Sequence, residues 1–307
     1  MSVAPQFNPE WLAGLNARAS VPPLRVRIDL VTAGELVGSV VPGIFDEIAL
    51  KSPLNINSLL YKKEQAIDGD EALFLQISGD LSQVLNQIAL SLRDASLTLT
   101  PANPTDMTHH AARHVAHHWR GEQLAVTNAQ GVPLGTVERG AVRALGIATR
   151  AVHLVGRSPD GRYWVQQRSL SKSNDPGLWD TLMGGMVSAQ DSVQTALERE
   201  TWEEAGLHLA ALGDVAYGGR ITVTRPSGDE GPQFDDARAL GIGYLVESTD
   251  WFQATVPDGV VPVNQDGEVA QFELLDEQAL VARLQNNEFT LEAALILVAA
   301  LSQSQTQ

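Results

Sequence analysis

The sequence predicts an α/β protein of the α+β kind, built as two domains, residues 1–140 and 141–307. Three observations predict it. The chain has 307 residues, which suits about two domains. In both halves, runs with apolar side chains at every second position alternate with segments where they recur every three or four. Hydrophobic residues make up 44% of the chain, enough for a sizeable core.

The elements follow in order. Leu24, Val26, Ile28 and Leu30 alternate with Arg25, Arg27 and Asp29, the pattern of a half-buried strand. Leu81, Val84, Leu85, Ile88, Ala89 and Leu92 mark one face of an amphipathic helix. Pro101, Asn103 and Pro104 then break the chain. His109 to Trp119 reads as a helix, and Leu124 to Glu138 as a hairpin turning at Gln130-Gly131. In the second half, Ala151 to Val155 and Tyr163 to Gln167 are strands joined through Asp160-Gly161. A loop runs from Ser169 to Trp179, and a strand-like Leu182-Met183 leads into Gly184-Gly185. A helix spans Val193 to Ala205 and stops at Gly206, a left-handed cap. Strands near Arg220 to Thr224 and Gly241 to Val246 flank a polar loop from Pro226 to Asp236. A helix from Leu291 to Ser302 closes the chain.

Composition excludes several functions. The net charge of −16 argues against nucleic acid as a partner, because that binding rests on Lys and Arg neutralising phosphates. The chain has no Cys, so disulfides, Cys-ligated zinc and a thiol nucleophile are ruled out. Met1 to Ala19 lacks the basic start and apolar run of a secretory signal. The longest apolar run, Ala293 to Leu301, falls well short of the ~20 residues of a transmembrane helix. The expectation is therefore a cytoplasmic monomer or homodimer that acts on a small molecule without touching a membrane.

The informative stretch is Gly185 to Leu207. Gly185 is followed after five residues by Asp191, then after seven by Arg199-Glu200-Thr201, and then by Glu203-Glu204 and Gly206-Leu207. Glu200, Glu203 and Glu204 stand at i, i+3 and i+4, neighbours on one helical face. Three adjacent carboxylates repel one another unless a cation lies between them. Carboxylate oxygens with no Cys or His nearby favour Mg²⁺ or Mn²⁺ over zinc. Such cations bridge phosphate oxygens and stabilise the charge of an attacked diphosphate. A plain acidic helix face balanced by Arg199 is the competing reading, but the two bordering glycines do not belong to it.

This stretch resembles the Nudix box, and the flanks extend the resemblance over roughly residues 145 to 300. It implies a Nudix fold: a mixed β-sheet between helices, an α/β/α sandwich, here with an additional N-terminal α/β domain. It also implies a diphosphate hydrolase in which Glu200, Glu203, Glu204 and Gly185 hold the metal. The general base would be one of Glu203, Glu204 or Glu268, the last lying in Asp266-Gly267-Glu268-Val269. The sequence departs from the box at Gln190, Asp191 and Thr201. Asp191 is expected to brace the loop, as an N-cap with Gln194 in a capping box, together with Arg199 and Gly206 as the structural residues of the motif. The nine-residue step from Asp191 to Glu200 is about 13 Å along a helix axis, which a short carboxylate cannot bridge directly, although a folded-back loop could shorten it.

Arg168 and Lys172 are candidate phosphate ligands, since Arg can hold phosphate oxygens bidentately. Trp179 either stacks on a substrate ring or fills the core. His110, His114 and His118, at i, i+4 and i+8, read better as a solvated or interface helix than as a metal site. Arg143-Ala144-Leu145-Gly146-Ile147, Pro176 to Asp180 and Asn264 to Val269 are similar to a two-domain Nudix subgroup related to thiamine pyrophosphokinase. That similarity implies thiamine diphosphate, or an oxidised analogue, as substrate. Isopentenyl diphosphate isomerase shares the fold but uses a Cys that this chain lacks. The alternative from another class is a catalytically silent Nudix-fold module that binds a nucleotide or cofactor.

Overall fold

The computed structural model describes residues 7–46, 48, 59–65, 71–97, 107–227 and 241–303. The Pro101 to Pro104 break and most of the Pro226 to Asp236 loop lie outside them.

The first half is built on a four-stranded sheet of β1 (Ile28–Thr32), β2 (Glu35–Val40), β3 (Leu59–Gln65) and β4 (Glu71–Ile77), in the order β2-β1-β4-β3. The alternation that starts at Leu24 does not extend the first strand. Leu24 and Val26 are 62% and 79% exposed, and pairing begins only at Ile28. Helix α2 (Leu81–Ala95) buries all six apolar positions read from its periodicity. Helix α3 (Met107–His117) packs against α2, and the hairpin of β5 (Gln123–Thr127) and β6 (Pro133–Glu138) joins the same hydrophobic core. That core runs on through Ala141, Val142, Ala144, Leu145 and Ile147, and takes in Ile242.

The second half carries a seven-stranded mixed sheet. Its spine is β11 (Gly213–Ser227), β12 (Gly243–Thr255), β7 (Thr149–Arg157), β8 (Tyr163–Arg168) and β13 (Val269–Leu275), with β9 (Trp179–Asp180) on β8 and β10 (Met183–Met186) on β7. The β7–β12 pair is parallel and the others are antiparallel. Side chains alternate across a strand, so β7 feeds two cores. Val152 and Leu154 pack with Ala196 and Leu197 of α4 (Val193–Ala205) on one side. Val155 packs on the other with α5 (Glu277–Gln285) and α6 (Leu291–Gln303). The result is helix, mixed sheet, helix.

Two helices go beyond the sequence reading: α5, and α1 (Pro9–Ala19). Leu15 of α1 is 1% exposed, in one core with Ile296, Leu297 and Leu301 of α6. Asn8 caps α1, its side chain accepting from the N–H groups of Glu10 and Trp11. The Asn8 N–H donates to Gln285 Oε1 at 2.8 Å. Among the described residues, no helix is long and apolar enough to cross a membrane.

Candidate active site

Helix α4 carries the three glutamates of the box, and its two ends set where they point. At the start, Ser192 is the N-cap. Its hydroxyl accepts from the Thr195 N–H at 3.1 Å, and Thr195 Oγ1 accepts from the Ser192 N–H at 2.8 Å. The capping box is thus Ser192–Thr195, one residue beyond the expected Asp191–Gln194, and Gln194 donates to Glu198 instead. Asp191, freed from capping, accepts from Arg199 Nη2 at 2.8 Å and from Ser188 Oγ at 3.0 Å. Arg199 Nη1 in turn lies 2.9 Å from both Glu200 and Glu203. A single guanidinium spans the distance from Asp191 to the glutamates.

At the far end Gly206 has φ +65°, and a Cβ there would meet the carbonyl oxygen of Val263 at 2.6 Å. The missing side chain lets the 263–268 loop close onto the helix. The Val263 N–H donates to the Ala205 carbonyl at 2.8 Å and the Gln265 N–H to the Glu203 carbonyl at 3.0 Å. This anchoring brings Glu268 round to the glutamates of α4. Thr201, where the box expects an apolar side chain, is fully buried and donates its hydroxyl to the Leu197 carbonyl at 2.6 Å. The helix itself satisfies the polar group, so the substitution leaves no unpaired hydroxyl.

Glu204 is 1% exposed and held by three donors: Gln166 Nε2 at 2.7 Å, the Gly184 N–H at 2.9 Å and Lys172 Nζ at 3.2 Å. Burial pushes its carboxyl above the ordinary carboxylate range, against the pull of Lys172 and the two other donors. Burial pushes Glu200 up to about 8, opposed by Arg199 and helped by the charge of Glu204. Glu268 is half exposed and in direct contact with Lys172, whose ammonium lowers its carboxyl despite burial. Gly185 lies on β10 directly beneath Glu200; a Cβ there would sit 2.0 Å from Glu200 Cδ.

These groups line one cavity of about 290 Å³. Ten carboxylates and six cationic side chains face it. The structure places Arg168, Lys172, Gly185, Arg199, Glu200, Glu203, Glu204 and Glu268 on its wall together. Asp191 and Gly206 stand behind that wall. Trp179 does not line it: the indole is 7% exposed in the apolar core, with Arg283 over its ring at 4.8 Å.

Several lining residues fall outside the motif. Glu122 and Arg139 come from the residue before the β5–β6 hairpin and the turn after it, Arg143 from the segment that follows, and Arg225, Glu247 and Glu292 from β11, β12 and α6. No spacing marks them as site residues, because they converge from distant elements; only Arg143, and Glu292 on the expected closing helix, fall in stretches the sequence singles out. The His-rich helix is not solvated: His109, His110 and His114 are 8%, 6% and 1% exposed, and face into the molecule. The rings of His114 and His118 lie 4.4 Å apart.

Among the described residues no three His, Asp or Glu side chains converge closely enough, as placed, to hold a metal ion. The reason is visible in the ion pairs. Arg199 sits between Glu200 and Glu203, and Lys172 between Glu204 and Glu268. The donor set nevertheless suits a hard divalent cation: carboxylate oxygens and the Gly185 carbonyl, without sulfur.

Comparison with known proteins finds likenesses over parts of the chain. Residues 148–294 match the NUDIX domain. The chain is 28% identical over 196 residues to the uncharacterized protein YJR142W of Saccharomyces cerevisiae, covering 59% of this chain and 54% of that one. It is 36% identical over 91 residues to the uncharacterized Nudix hydrolase PA4841 of Pseudomonas aeruginosa, covering 30% of this chain and 54% of that one. To Nudix hydrolase 20, chloroplastic, of Arabidopsis thaliana it is 32% identical over 157 residues, covering 50% of this chain and 38% of that one. The chain thus spans about half the length, or less, of the relatives it matches.

Proposed function

We propose, on the premise that residues 148–294 form a NUDIX domain, that this chain is a Nudix diphosphate hydrolase using Mg²⁺ or Mn²⁺ to cleave a diphosphate linkage in a small molecule. The observation that carries the reading is the convergence of Glu200, Glu203, Glu204 and Glu268 with Arg168 and Lys172 on one cavity. Ten carboxyl groups outnumber six cations around the cavity, and burial holds Glu200 and Glu204 above the ordinary carboxylate range, so a bound cation would favour their ionised forms and offset the charge of a diphosphate. Glu200, Glu203, Glu204 and the Gly185 carbonyl would hold that cation, which supplies charge neutralisation on the phosphoryl oxygens and lowers the pKa of a bound water.

The chain's own groups do the rest. Gln166 and the Gly184 N–H fix the Glu204 carboxylate in one orientation. Arg168, held by the Asn174 carbonyl at 3.0 Å and Asp180 at 3.3 Å, presents a fixed guanidinium to substrate oxygens. Glu268, half exposed and kept ionised by Lys172, supports a role as the proton acceptor for the attacking water. Thiamine diphosphate and its oxidised analogues are the first substrates to test, on the similarity of Arg143 to Ile147, Pro176 to Asp180 and Asn264 to Val269 to the thiamine pyrophosphokinase-related subgroup.

The test is a turnover screen across diphosphate metabolites, with products identified, with Mg²⁺ and again with excess chelator. Mg²⁺-dependent release of phosphate or a monophosphate is expected. Glu204→Gln keeps size and shape, and is expected to cut turnover by about 100-fold or more while the chain stays folded. Full turnover in chelator, or a wild-type rate in Glu204→Gln, overturns the assignment. Metal and ligand binding without any turnover would leave a silent binding module.

A further inference from the structure

A second cavity of about 280 Å³ opens beside the first. It is lined by Arg120, Arg139, Arg168, Lys172, Ser171, Ser173, Asn174 and a single carboxylate, Glu268. Arg139, Arg168, Lys172, Asn174 and Glu268 also line the first cavity, so the two share a wall. Four cations line this cavity against one carboxylate, the reverse of the neighbouring cavity and of a chain with net charge −16; Arg139, Arg168 and Lys172 are paired with Glu122, Asp180 and Glu204, and Arg120 is the one without a carboxylate partner among the described residues. Such a local reversal in an acidic molecule is an anion site in electrostatic terms.

The site is built. Arg120 Nη2 donates to Ser173 Oγ at 2.5 Å and Nη1 to the Trp119 carbonyl at 2.9 Å, and it has no carboxylate partner among the described residues. Arg139 Nη1 is held by Glu122 at 2.7 Å. One buried carboxylate ties the two arginine-bearing turns together. Glu138, 1% exposed, accepts from the Arg120 N–H at 2.8 Å, the Gly121 N–H at 3.1 Å and the Gly140 N–H at 3.4 Å. Both turns are thereby tied to each other, the Arg120–Ser173 bond joins the first to the 168–174 loop, and both lie outside residues 148–294.

We propose that Arg120 and Arg139, with Arg168 and Lys172, form a phosphate subsite that receives the terminal phosphoryl group of the substrate and the inorganic phosphate it becomes. This rests on the reading of the first cavity as a diphosphate site, and it deepens that reading. The substrate then ends in a free phosphate rather than carrying a second organic group beyond its diphosphate. The N-terminal region supplies two of the four cations that select for that end. Guanidinium forks match paired oxygens of a phosphate dianion, whose terminal oxygens offer such a pair on every side.

The experiment uses the full chain and inorganic phosphate, in metal-free buffer at low ionic strength, with binding read by calorimetry. Wild type is expected to bind phosphate, and Arg120→Gln and Arg139→Gln each to weaken it about tenfold, the loss of one charge-assisted contact. Arg120→Lys and Arg139→Lys, which keep the charge and remove the fork, are expected to recover part of the affinity, as a purely structural role would not. Arg162→Gln, on the β7–β8 turn away from both cavities, is the control and should bind as wild type. Phosphate affinity within twofold of wild type in both Gln variants, or no binding by wild type, overturns the subsite. No turnover enters this assay. A chain that binds phosphate through Arg120 and Arg139 but hydrolyses no diphosphate would refute the proposed activity and leave the subsite standing; the converse result would do the opposite.

Discussion

Gly185 has no side chain, and the site depends on that lack. Its backbone passes so close to Glu200 that a methyl group would occupy the carboxylate's place. Gly185→Ala is expected to displace Glu200 by an ångström or more and to cost about 100-fold in turnover, measured on the substrate the screen identifies. A rate within a few-fold of wild type would show that Glu200 is dispensable. Asp191 makes the opposite kind of contribution. It holds Arg199, which holds Glu200 and Glu203, so its part is to brace. Asp191→Ala is expected to lower stability by about 1 kcal/mol, as for a partly exposed ion pair, while the Mg²⁺ requirement of turnover stays near that of wild type. Titration of Mg²⁺ into both proteins, alongside thermal melts, checks it; a sharp rise in the metal requirement at unchanged melting temperature would make Asp191 a ligand. At this scale the sequence was legible where spacing encodes position. The i, i+3, i+4 glutamates and both glycines could be read directly. The N-cap could not, because Asp191 and Ser192 are both good caps and only the competing pull of Arg199 decides between them. Nor could Arg120, Arg139 and Arg225, whose contacts with Ser173, Glu122 and Glu292 join segments that no local pattern connects.

Elements were legible in proportion to the regularity of their patterns. α2 and α4 match their readings because a clean apolar face fixes the first, and a capping serine and a terminal glycine fix the second. α1 and α5 were missed although each starts on a good signal, Asn8-Pro9-Glu10 and Asp276-Glu277. Each buries few residues, so periodicity is weak. β11 and β12 are 15 and 13 residues long, far beyond the short runs that alternation marks, because Gly213, Gly218 and Gly219 and two register shifts break the pattern. Strand pairing here is reinforced by Asp250 of β12. It is 2% exposed and accepts from Arg150 of β7 at 2.8 Å, from Arg220 of β11 at 2.9 Å and from Tyr217 of β11 at 3.1 Å. Burial raises its carboxyl, and the three donors outweigh burial, leaving it below the ordinary range. A carboxyl depressed in the folded state adds stability above its unfolded pKa and loses it as pH falls through the folded value. Asp250→Asn is therefore expected to be less stable than wild type by about 2 kcal/mol at neutral pH, with the gap closing below about pH 4. Melts of both proteins across that range check it; a gap that is constant with pH would mean the charge of Asp250 contributes nothing.

For the molecule as a whole, both halves were visible as α/β units. How they interlock was not visible, because no local pattern records a contact between distant segments. Glu122, just before the β5–β6 hairpin, and Arg139, in the turn after it, line the cavity of the second half, and α1 puts Leu15 into that half's core. Leu15→Ala is expected to destabilise the whole fold by about 3 kcal/mol, as for a fully buried leucine, and to do so in one transition. Calorimetry that showed only local melting of α1, with the main transition unmoved, would show that α1 is an appendage. The pairing of α1 with α5 and α6 also sets a schedule. Asn8 meets Gln285 across 277 residues of sequence, and the closure entropy of so long a loop must be met before the contact returns anything. During synthesis α1 emerges long before α5 and α6, the partners it packs against. Its apolar face stays open while the rest of the chain is made, and that interval is the one in which aggregation or a chaperone competes for it.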